Sequence, residues 1–139
     1  MYYLDTDTLT RAHGGNRQIA SRIRQVGEEN VGTTVITAIE ILRGRHEFLL
    51  KASNGAELLR AQQLLDFSQE LLQDNEIAPI DPQAASEFDR LRQLKKLKAI
   101  GRRDLLIGCV ALAHRATLVT RNVKDFQQIP GLKVENWID

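Results

Sequence analysis

The sequence predicts an α/β fold, a three-layer α/β/α sandwich with a central parallel sheet and a helical hairpin insertion. Short apolar segments alternate with amphipathic stretches along the chain, which is the pattern of strands followed by helices. Such connections are right-handed crossovers, and they make neighbouring strands parallel. One stretch, residues 38–73, is long enough for two consecutive helices that form the hairpin.

The length and composition indicate one domain, residues 1–139. Hydrophobic residues make up 42% of the 139 residues, enough for one core. The 19 basic and 18 acidic residues give a net charge of +1, so no overall field attracts nucleic acid or a membrane. The single cysteine, Cys109, and three histidines argue against a disulfide and a soft-metal site. No leader or membrane segment is apparent, and we expect a cytoplasmic protein.

The first part of the chain predicts two strands, with helices between them. The apolar Tyr2–Leu4 is the first strand, and the polar Thr6 begins a helix that ends at Gly14. A second helix carries apolar residues at spacings of three and four and ends near Gly27. The apolar, β-branched residues 31–36 form the second strand.

The predicted hairpin follows this second strand. Thr37 begins its first helix, which continues to Leu50, and residues 53–55 interrupt it. The second helix has leucines seven residues apart, so one face is strongly apolar and must pack against something. These leucines are Leu58, Leu65 and Leu72.

The next predicted elements are a short strand and two helices. Residues 77–80 form the strand, and Asp81, followed by proline, is a strong helix start. This helix is expected to continue to Gly101. Residues 105–112 are apolar on all sides, which predicts a buried helix.

Two further strands complete the predicted sheet, residues 117–120 in its centre and residues 132–135 at an edge. Ligands of parallel α/β sheets bind outside the carboxyl ends of the strands. The functional site is therefore expected at that edge.

Four acidic residues from four segments converge on this edge. Asp5 ends the first strand, Glu40 lies in the first turn after the second, Asp104 starts the buried helix, and Asp125 follows the strand 117–120. Each has a structural alternative: Asp5 caps a helix, Thr37-x-x-Glu40 is a capping box, Asp104 is a first-turn acid, and Asp125 is a solvated loop residue.

Carboxylates gathered at one edge require a positive charge, because two of them about 4 Å apart repel by roughly 4 kcal/mol at an effective dielectric near 20. With oxygen ligands only, the hard cations Mg²⁺ or Mn²⁺ are favoured. Such ions bind phosphate oxygens and activate water, so the site suits phosphodiester hydrolysis. The chain has no Gly-rich phosphate-binding loop, and no nucleotide cofactor is indicated.

Four segments carry a resemblance to a known family: Leu4-Asp5-Thr6-Asp7 and residues 36–44, 101–107 and 118–132. The chain resembles the PIN-domain ribonucleases, and within them the VapC-type toxins of bacterial toxin-antitoxin pairs. The resemblance covers essentially the whole chain, with the motifs in order. It implies a PIN-like fold and a metal-dependent endoribonuclease that cuts RNA and is inhibited by a cognate antitoxin.

The resemblance also assigns roles to individual residues. Asp5 and Asp104 resemble the principal metal ligands, and Glu40 the third acid, which binds metal or activates water. Asp125 is our choice for the fourth position, with Asn122 as the alternative. Thr6, Asp7, Thr120 and Asn122 are assigned as supporting residues around these acids.

An RNA-binding surface is predicted locally, since the net charge supplies none. A basic segment leads to Asp104, and its alternative interpretation is a solvated helix face. Its members are Arg90, Arg92, Lys95, Lys96, Lys98, Arg102 and Arg103. Arg102, Arg103 and Arg121 are the candidate RNA-binding residues. For the hairpin, the resemblance suggests homodimerisation and antitoxin docking, and the alternative is core packing.

Two rival functions share features with this sequence. Asp5-Thr6-Asp7 is similar to the Asp-x-Asp of haloacid-dehalogenase-like phosphatases, but Leu9 stands at that motif's fifth position. A non-catalytic regulatory module, either receiver-like or a PIN scaffold, is the other. A receiver needs an acceptor Asp after a central strand, where Asp81 offers only a helix cap, and inactive scaffolds commonly lack the acids found here.

Overall fold

The computed structural model describes all 139 residues as five strands, seven α-helices and two short 3₁₀ helices. The strands are β1 (Tyr2–Leu4), β2 (Val31–Thr34), β3 (Glu76–Ala78), β4 (Thr117–Val119) and β5 (Lys133–Glu135). The α-helices are α1 (Thr6–His13), α2 (Arg17–Val26), α3 (Val35–Leu50), α4 (Gly55–Gln73), α5 (Pro82–Leu91), α6 (Arg102–Ala113) and α7 (Val123–Phe126). The 3₁₀ helices are Glu28–Asn30 and Lys95–Leu97.

The five strands form one sheet in the order β3-β2-β1-β4-β5, and every neighbouring pair is parallel. In the centre, Tyr2 is paired with Val31 on one side and with Thr117 on the other. The predicted parallel sheet is therefore confirmed, with β4 inside it and β5 at an edge as expected. All five carboxyl ends consequently face the same side of the molecule.

Residues that alternate along the central strands build two separate apolar cores. Tyr3 and Leu118 are buried in a core that includes residues of α5 and α6. Leu4 and Val119 point to the opposite face, in a core that includes residues of α1, α2 and α4. Helices thus cover both faces of the sheet, which is the predicted three-layer sandwich.

The start of α3 differs from the prediction. β2 ends at Thr34 instead of residue 36, because the Thr34 Oγ1 accepts a hydrogen bond from the Thr37 backbone N–H at 3.3 Å and caps the helix. The capping box Thr37-x-x-Glu40 is therefore wrong. Glu40 is the sixth residue of α3 and lies in its second turn, and the hairpin begins three residues earlier than predicted.

The region between α5 and α6 also differs. The predicted helix does not continue to Gly101 but ends at Leu91. In the segment that follows Leu91, apolar residues recur at every third position. The backbone N–H groups of Leu94, Leu97 and Ile100 each donate a hydrogen bond to the carbonyl oxygen three residues earlier. A three-residue repeat matches the 3₁₀ rather than the α-helical period, so these side chains stay in contact with the core while the backbone leaves the helix.

The hairpin leucines divide between core and solvent. Leu72 is buried and Leu65 half-buried, but Leu58 is 48% exposed. The hairpin therefore keeps an outward apolar surface, which we call the hairpin surface; it comprises Ile39, Phe48, Leu50, Leu58, Leu59 and Phe67. None of the helices combines the length and apolar character needed to cross a membrane.

Candidate active site

A cavity of about 500 Å³ opens at the carboxyl edge of the sheet. We call it the acidic cavity, and its lining residues are Asp5, Thr6, Asp7, Thr10, Glu40, Arg103, Asp104, Ile107, Asn122 and Phe126. Three of the four predicted acids, Asp5, Glu40 and Asp104, line it together. They come from the end of β1, from α3 and from α6, so the parallel topology brings together residues that are far apart in the chain.

Asp5 is the most firmly held of these acids. Its Oδ1 accepts a hydrogen bond from the Thr8 backbone N–H at 2.9 Å, so Asp5 does cap α1. Its Oδ2 accepts a hydrogen bond from the Thr120 hydroxyl at 2.6 Å. The cap and the site role are compatible, because the same bonds that start the helix fix the orientation of the carboxylate.

Thr120 connects this carboxylate to the loop after β4. It is fully buried, and its Oγ1 also accepts a hydrogen bond from the Asn122 backbone N–H at 3.0 Å. One hydroxyl therefore orients both Asp5 and the segment that carries Asn122. This contact agrees with the supporting role predicted for Thr120.

Glu40 lies deeper, with 19% of its side chain exposed. Its Oε2 lies 3.2 Å from Nη1 of Arg103, while its Oε1 is buried and has no hydrogen-bond partner. Burial raises the pKa of Glu40; Arg103 and the side chain of Thr6 oppose this, and the charges of Asp104 and Asp5 raise the pKa further. Glu40 lines the acidic cavity, and an unsatisfied buried carboxylate oxygen is a ready acceptor for a cation or a proton.

Asp104 lies in the first turn of α6 and accepts no hydrogen bond. Burial raises its pKa, Arg103 lowers it, and Asp5 and Asp125 raise it again. The helix N-terminus favours a negative charge here, but Asp104 is not a cap, because Gly101 holds that position. Two carboxyl groups with raised pKa values thus face one cavity, which favours an added positive charge.

For the fourth predicted site residue, the cavity contains our alternative and not our first choice. Asn122 lines the acidic cavity, whereas Asp125 does not. The Asn122 Nδ2 donates a hydrogen bond to Asp125 Oδ2 at 3.1 Å. Asp125 thus orients Asn122 and adds negative charge near Asp104 without reaching the cavity wall.

The remaining predicted residues separate into two groups. Thr6 and Asp7 line the cavity, and Asp7 is also paired with Arg11 at 2.9 Å. Arg103 lies among the acids, but Arg102 lines a neighbouring cavity. Arg121 lines neither cavity: it forms an exposed ion pair at 3.2 Å with Asp139 near the end of the chain.

The donor set fits a hard divalent cation, although no three acidic, histidine or cysteine side chains stand close enough here to hold one ion together. Asp5 is fixed by two hydrogen bonds and Glu40 is drawn to Arg103. Joint ligation requires these side chains to move closer than they stand. The fit rests on the chemistry of the oxygen donors and on the unpartnered Oε1 of Glu40.

Sequence reasoning missed three residues that line the cavity, Thr10, Ile107 and Phe126. Two of them had a signal in helical spacing. Thr10 lies three residues after Asp7 on α1, and Ile107 lies three residues after Asp104 on α6, so each shares a face with a predicted acid. Phe126 is buried at the end of α7, a helix that the sequence pattern did not predict.

Comparisons with known proteins agree with this geometry. A model of the PIN domain family matches residues 2–132. Ribonuclease VapC1 from Haemophilus influenzae (strain R2866) is 30% identical over 141 aligned residues, covering 99% of this chain and 98% of the relative. All but the ends of both chains are therefore aligned.

Two solved structures are similar in fold and sequence. VapBC-1 from nontypeable Haemophilus influenzae has a TM-score of 0.80 and 26% identity, covering 99% of this chain and 98% of that chain. VapBC2 from Rickettsia felis, bound to a DNA fragment from their promoter, has a TM-score of 0.77 and 27% identity, covering 98% of each chain.

Proposed function

The chain belongs to the PIN-domain family, and from that membership we propose that it is a VapC-type ribonuclease. It hydrolyses phosphodiester bonds of RNA and acts as the toxin of a toxin-antitoxin pair. The relative named Ribonuclease VapC1 supports this at 30% identity over 99% of the chain. In this proposal residues 1–139 form a single PIN-like domain, and the phosphatase and regulatory-module alternatives are set aside.

The observation that carries the proposal is the convergence of Asp5, Glu40 and Asp104 on one polar cavity with Arg103 among them. A phosphodiester is an anion, and such an acidic wall binds it only through cations. Arg103 is one, since a guanidinium donates two parallel hydrogen bonds to a phosphate. On substrate binding, Arg103 would leave its ion pair with Glu40 and bind the phosphate instead.

The second cation is Mg²⁺ or Mn²⁺, which we propose is held by Asp5, Asp104 and Glu40, with the Asn122 amide oxygen completing the set. When bound, it neutralises charge on the phosphate and lowers the pKa of the attacking water. The Thr120 hydroxyl and the Thr8 N–H keep the Asp5 carboxylate in a single orientation for this task.

Glu40 is the residue we propose as the proton acceptor. Its raised pKa and its free Oε1 suit a general base, because a carboxylate becomes a stronger base as its pKa approaches the working pH. It removes the proton from the attacking water, the new P–O bond forms from that water, the ester P–O bond breaks, and the leaving ribose oxygen takes up a proton from solvent. Release of Glu40 from Arg103 on substrate binding frees both groups at once.

A protein partner is also proposed. The VapBC structures contain toxin-antitoxin pairs, which supports a cognate antitoxin for this chain. The hairpin surface, with Leu50 82% and Leu59 69% exposed, is the apolar area that such a partner would cover. Homodimerisation and a cytoplasmic location remain part of the proposal.

The test is cleavage of purified cellular RNA by the purified protein. We expect cleavage in Mg²⁺ or Mn²⁺, loss of cleavage in excess EDTA, and recovery when the ion is added back. Equal cleavage with and without EDTA would contradict the metal requirement. Intact RNA under all ionic conditions, from a protein that is folded by circular dichroism, would contradict the ribonuclease assignment itself.

A further inference from the structure

A second cavity of about 500 Å³ lies beside the acidic cavity, between α5, α6 and the segment that joins them. It has an apolar floor that includes Phe88, Leu97 and Leu105, and a mouth formed by Arg92, Lys98 and Arg102. We call it the basic cavity. Its composition is opposite to that of its neighbour, because it contains no acidic residue.

The two cavities share the first turn of α6. Arg102 lines the basic cavity, while Arg103 and Asp104, the next two residues, line the acidic one. Consecutive Cα atoms are about 3.8 Å apart. An RNA strand with one phosphate at Arg103 therefore has its adjacent nucleotide within reach of the basic cavity.

The segment that forms the mouth is held in place from below. Leu97 and Ile100 are buried, and the backbone bonds of the three-residue repeat connect them to the end of α5. Lys98, the one cationic side chain between these anchors, is exposed. The cavity mouth is therefore a built feature with fixed backbone, and its cations point to solvent.

The cations at the mouth are poorly neutralised. Neither Lys98 nor Arg102 forms an ion pair, and Arg92 has only a 3.7 Å contact with the exposed Asp89. By contrast, Arg103 is paired with Glu40. An excess of unpaired positive charge next to a phosphodiester-cleaving site favours a polyanion as the occupant.

The aromatic ring of Phe88 on the floor of the cavity indicates that the polyanionic occupant is a nucleic acid. The guanidinium carbons of Arg92 and Arg102 lie 6.0 and 5.5 Å from the centroid of the Phe88 ring. Aromatic rings and Arg planes are the groups on which unpaired bases stack in single-stranded RNA complexes. A symmetric contact with the basic cavity of a second copy fits less well, since it would bring further positive charge to the same place.

We propose that the basic cavity holds one unpaired base of the RNA substrate, stacked against Phe88, with the adjoining phosphates on Lys98 and Arg102. This subsite rests on the proposed ribonuclease function and adds a selectivity to it. A paired base has its faces covered and its edges engaged, so it does not enter.

Binding of two probes to the inactive Asp104→Asn protein tests this subsite. The probes are a short fluorescein-labelled oligoadenylate and an abasic oligomer of equal length. We expect Phe88→Leu to weaken oligoadenylate binding about fivefold, because one stacked base is lost. It should leave abasic binding unchanged, which a merely structural effect on folding would not do.

Lys98→Gln is the second variant, and its exposed side chain makes misfolding no concern. It should weaken both probes and reduce the slope of log K against log salt by about 0.7, as expected for one lost phosphate contact on a single strand. The matched control is Arg24→Gln, which removes an exposed, unpaired cation. Arg24 lies near the end of α2, and this end of the helix is at the edge of the sheet opposite the site.

Unchanged binding in both variants would overturn the subsite, and so would an equal loss for the abasic probe or effective competition by duplex RNA. A change in sedimentation caused by Lys98→Gln would instead identify the cavity as an interface between copies. The wild-type protein is tested in parallel on cellular RNA. If that RNA stays intact while the base-dependent binding is found, the ribonuclease function fails and the subsite stands.

Discussion

At the scale of single residues, Glu40 and Asp104 oppose folding while they equip the site. Burial raises the pKa of both carboxyl groups, so the folded chain binds their protons more tightly than the unfolded chain does. Their contribution to the free energy of unfolding is therefore unfavourable above the raised pKa and disappears below the unfolded value. Stability falls as the pH rises through this window.

Removing one of these charges should stabilise the metal-free protein. We expect Asp104→Asn in EDTA at pH 7 to raise the Tm by on the order of 2 °C, because the buried charge is gone. The gain should shrink as the pH is lowered through the raised pKa of Asp104. The measurement is thermal unfolding by circular dichroism across pH, with the exposed Asp66→Asn as control; a gain that does not depend on pH would contradict this origin.

The fourth position of the site is also decided by one residue. Asn122 lines the cavity and Asp125 lies behind it, so the two substitutions should differ. Asn122→Ala should lower the RNA cleavage rate about 10- to 100-fold, whereas Asp125→Asn, which keeps an acceptor for Asn122, should lower it less than about threefold. Steady-state cleavage assays compare them. A larger loss in the Asp125 variant would instead support Asp125, our first choice from the sequence, as the fourth site residue.

At the scale of elements, a glycine in β2 is required by close packing, whereas a glycine in α3 is not. Gly32 lies in β2, where an added Cβ would stand 2.7 Å from the Glu76 carbonyl oxygen of β3. Gly44 lies in the middle of α3, with nothing within 4 Å of an added Cβ. The close approach of β2 to β3 thus depends on the missing side chain, while the helix gains nothing from its glycine.

Alanine at these two positions should act in opposite directions. Gly32→Ala should destabilise the protein by about 1–3 kcal/mol, because a backbone atom cannot move aside easily. Gly44→Ala should stabilise it by about 0.5–1 kcal/mol through helix propensity. Urea unfolding measures both free energies, and a destabilising Gly44→Ala or a neutral Gly32→Ala would contradict the strand and helix packing described.

At the scale of the whole molecule, the net charge of +1 conceals three unlike surfaces. The acidic cavity, the basic cavity and the apolar hairpin surface are formed by different residues, although α6 contributes to both cavities and α3 to the acidic cavity and the hairpin surface. The first two adjoin, and in our proposals they bind the RNA. The third is apolar and is available to a protein partner without any change in the catalytic residues.

Partner binding and catalysis should therefore be separable. Leu59→Glu places a charge at a strongly exposed position of the hairpin surface and should weaken binding of the cognate antitoxin about tenfold. RNA cleavage by the free protein should be unchanged. Calorimetric titration with the antitoxin measures the affinity, with the nearby exposed Gln63→Glu as control. Equal effects of the two variants would place the partner elsewhere.

The fold could be predicted further than the details of the site. Alternating segments were enough for the parallel sheet, and the topology then brought Asp5, Glu40 and Asp104 together as expected. The α5 boundary was missed, because a three-residue apolar repeat resembles helical spacing over a short stretch. The choice between Asn122 and Asp125 depends on where a loop turns, and spacing does not encode it.

The basic cavity was beyond sequence reasoning for a similar reason. Its cations are visible in the sequence as a basic segment, but an aromatic content of 5% gives no indication of a stacking surface. Composition cannot register that a single ring, Phe88, lies under two guanidinium groups. Three-dimensional placement turns one aromatic residue into a candidate base-binding surface.

The most direct test of the central claim is the single-turnover rate of RNA cleavage by Asp104→Asn in Mg²⁺, compared with wild type and Asp66→Asn. Asp104 accepts no hydrogen bond, so its replacement removes a negative oxygen and little else. We predict a loss of more than about 100-fold, beyond what supporting residues of metal sites cost, with an intact fold and an unaffected Asp66 control. Cleavage at the wild-type rate would contradict the assignment of the acidic cavity as the catalytic site.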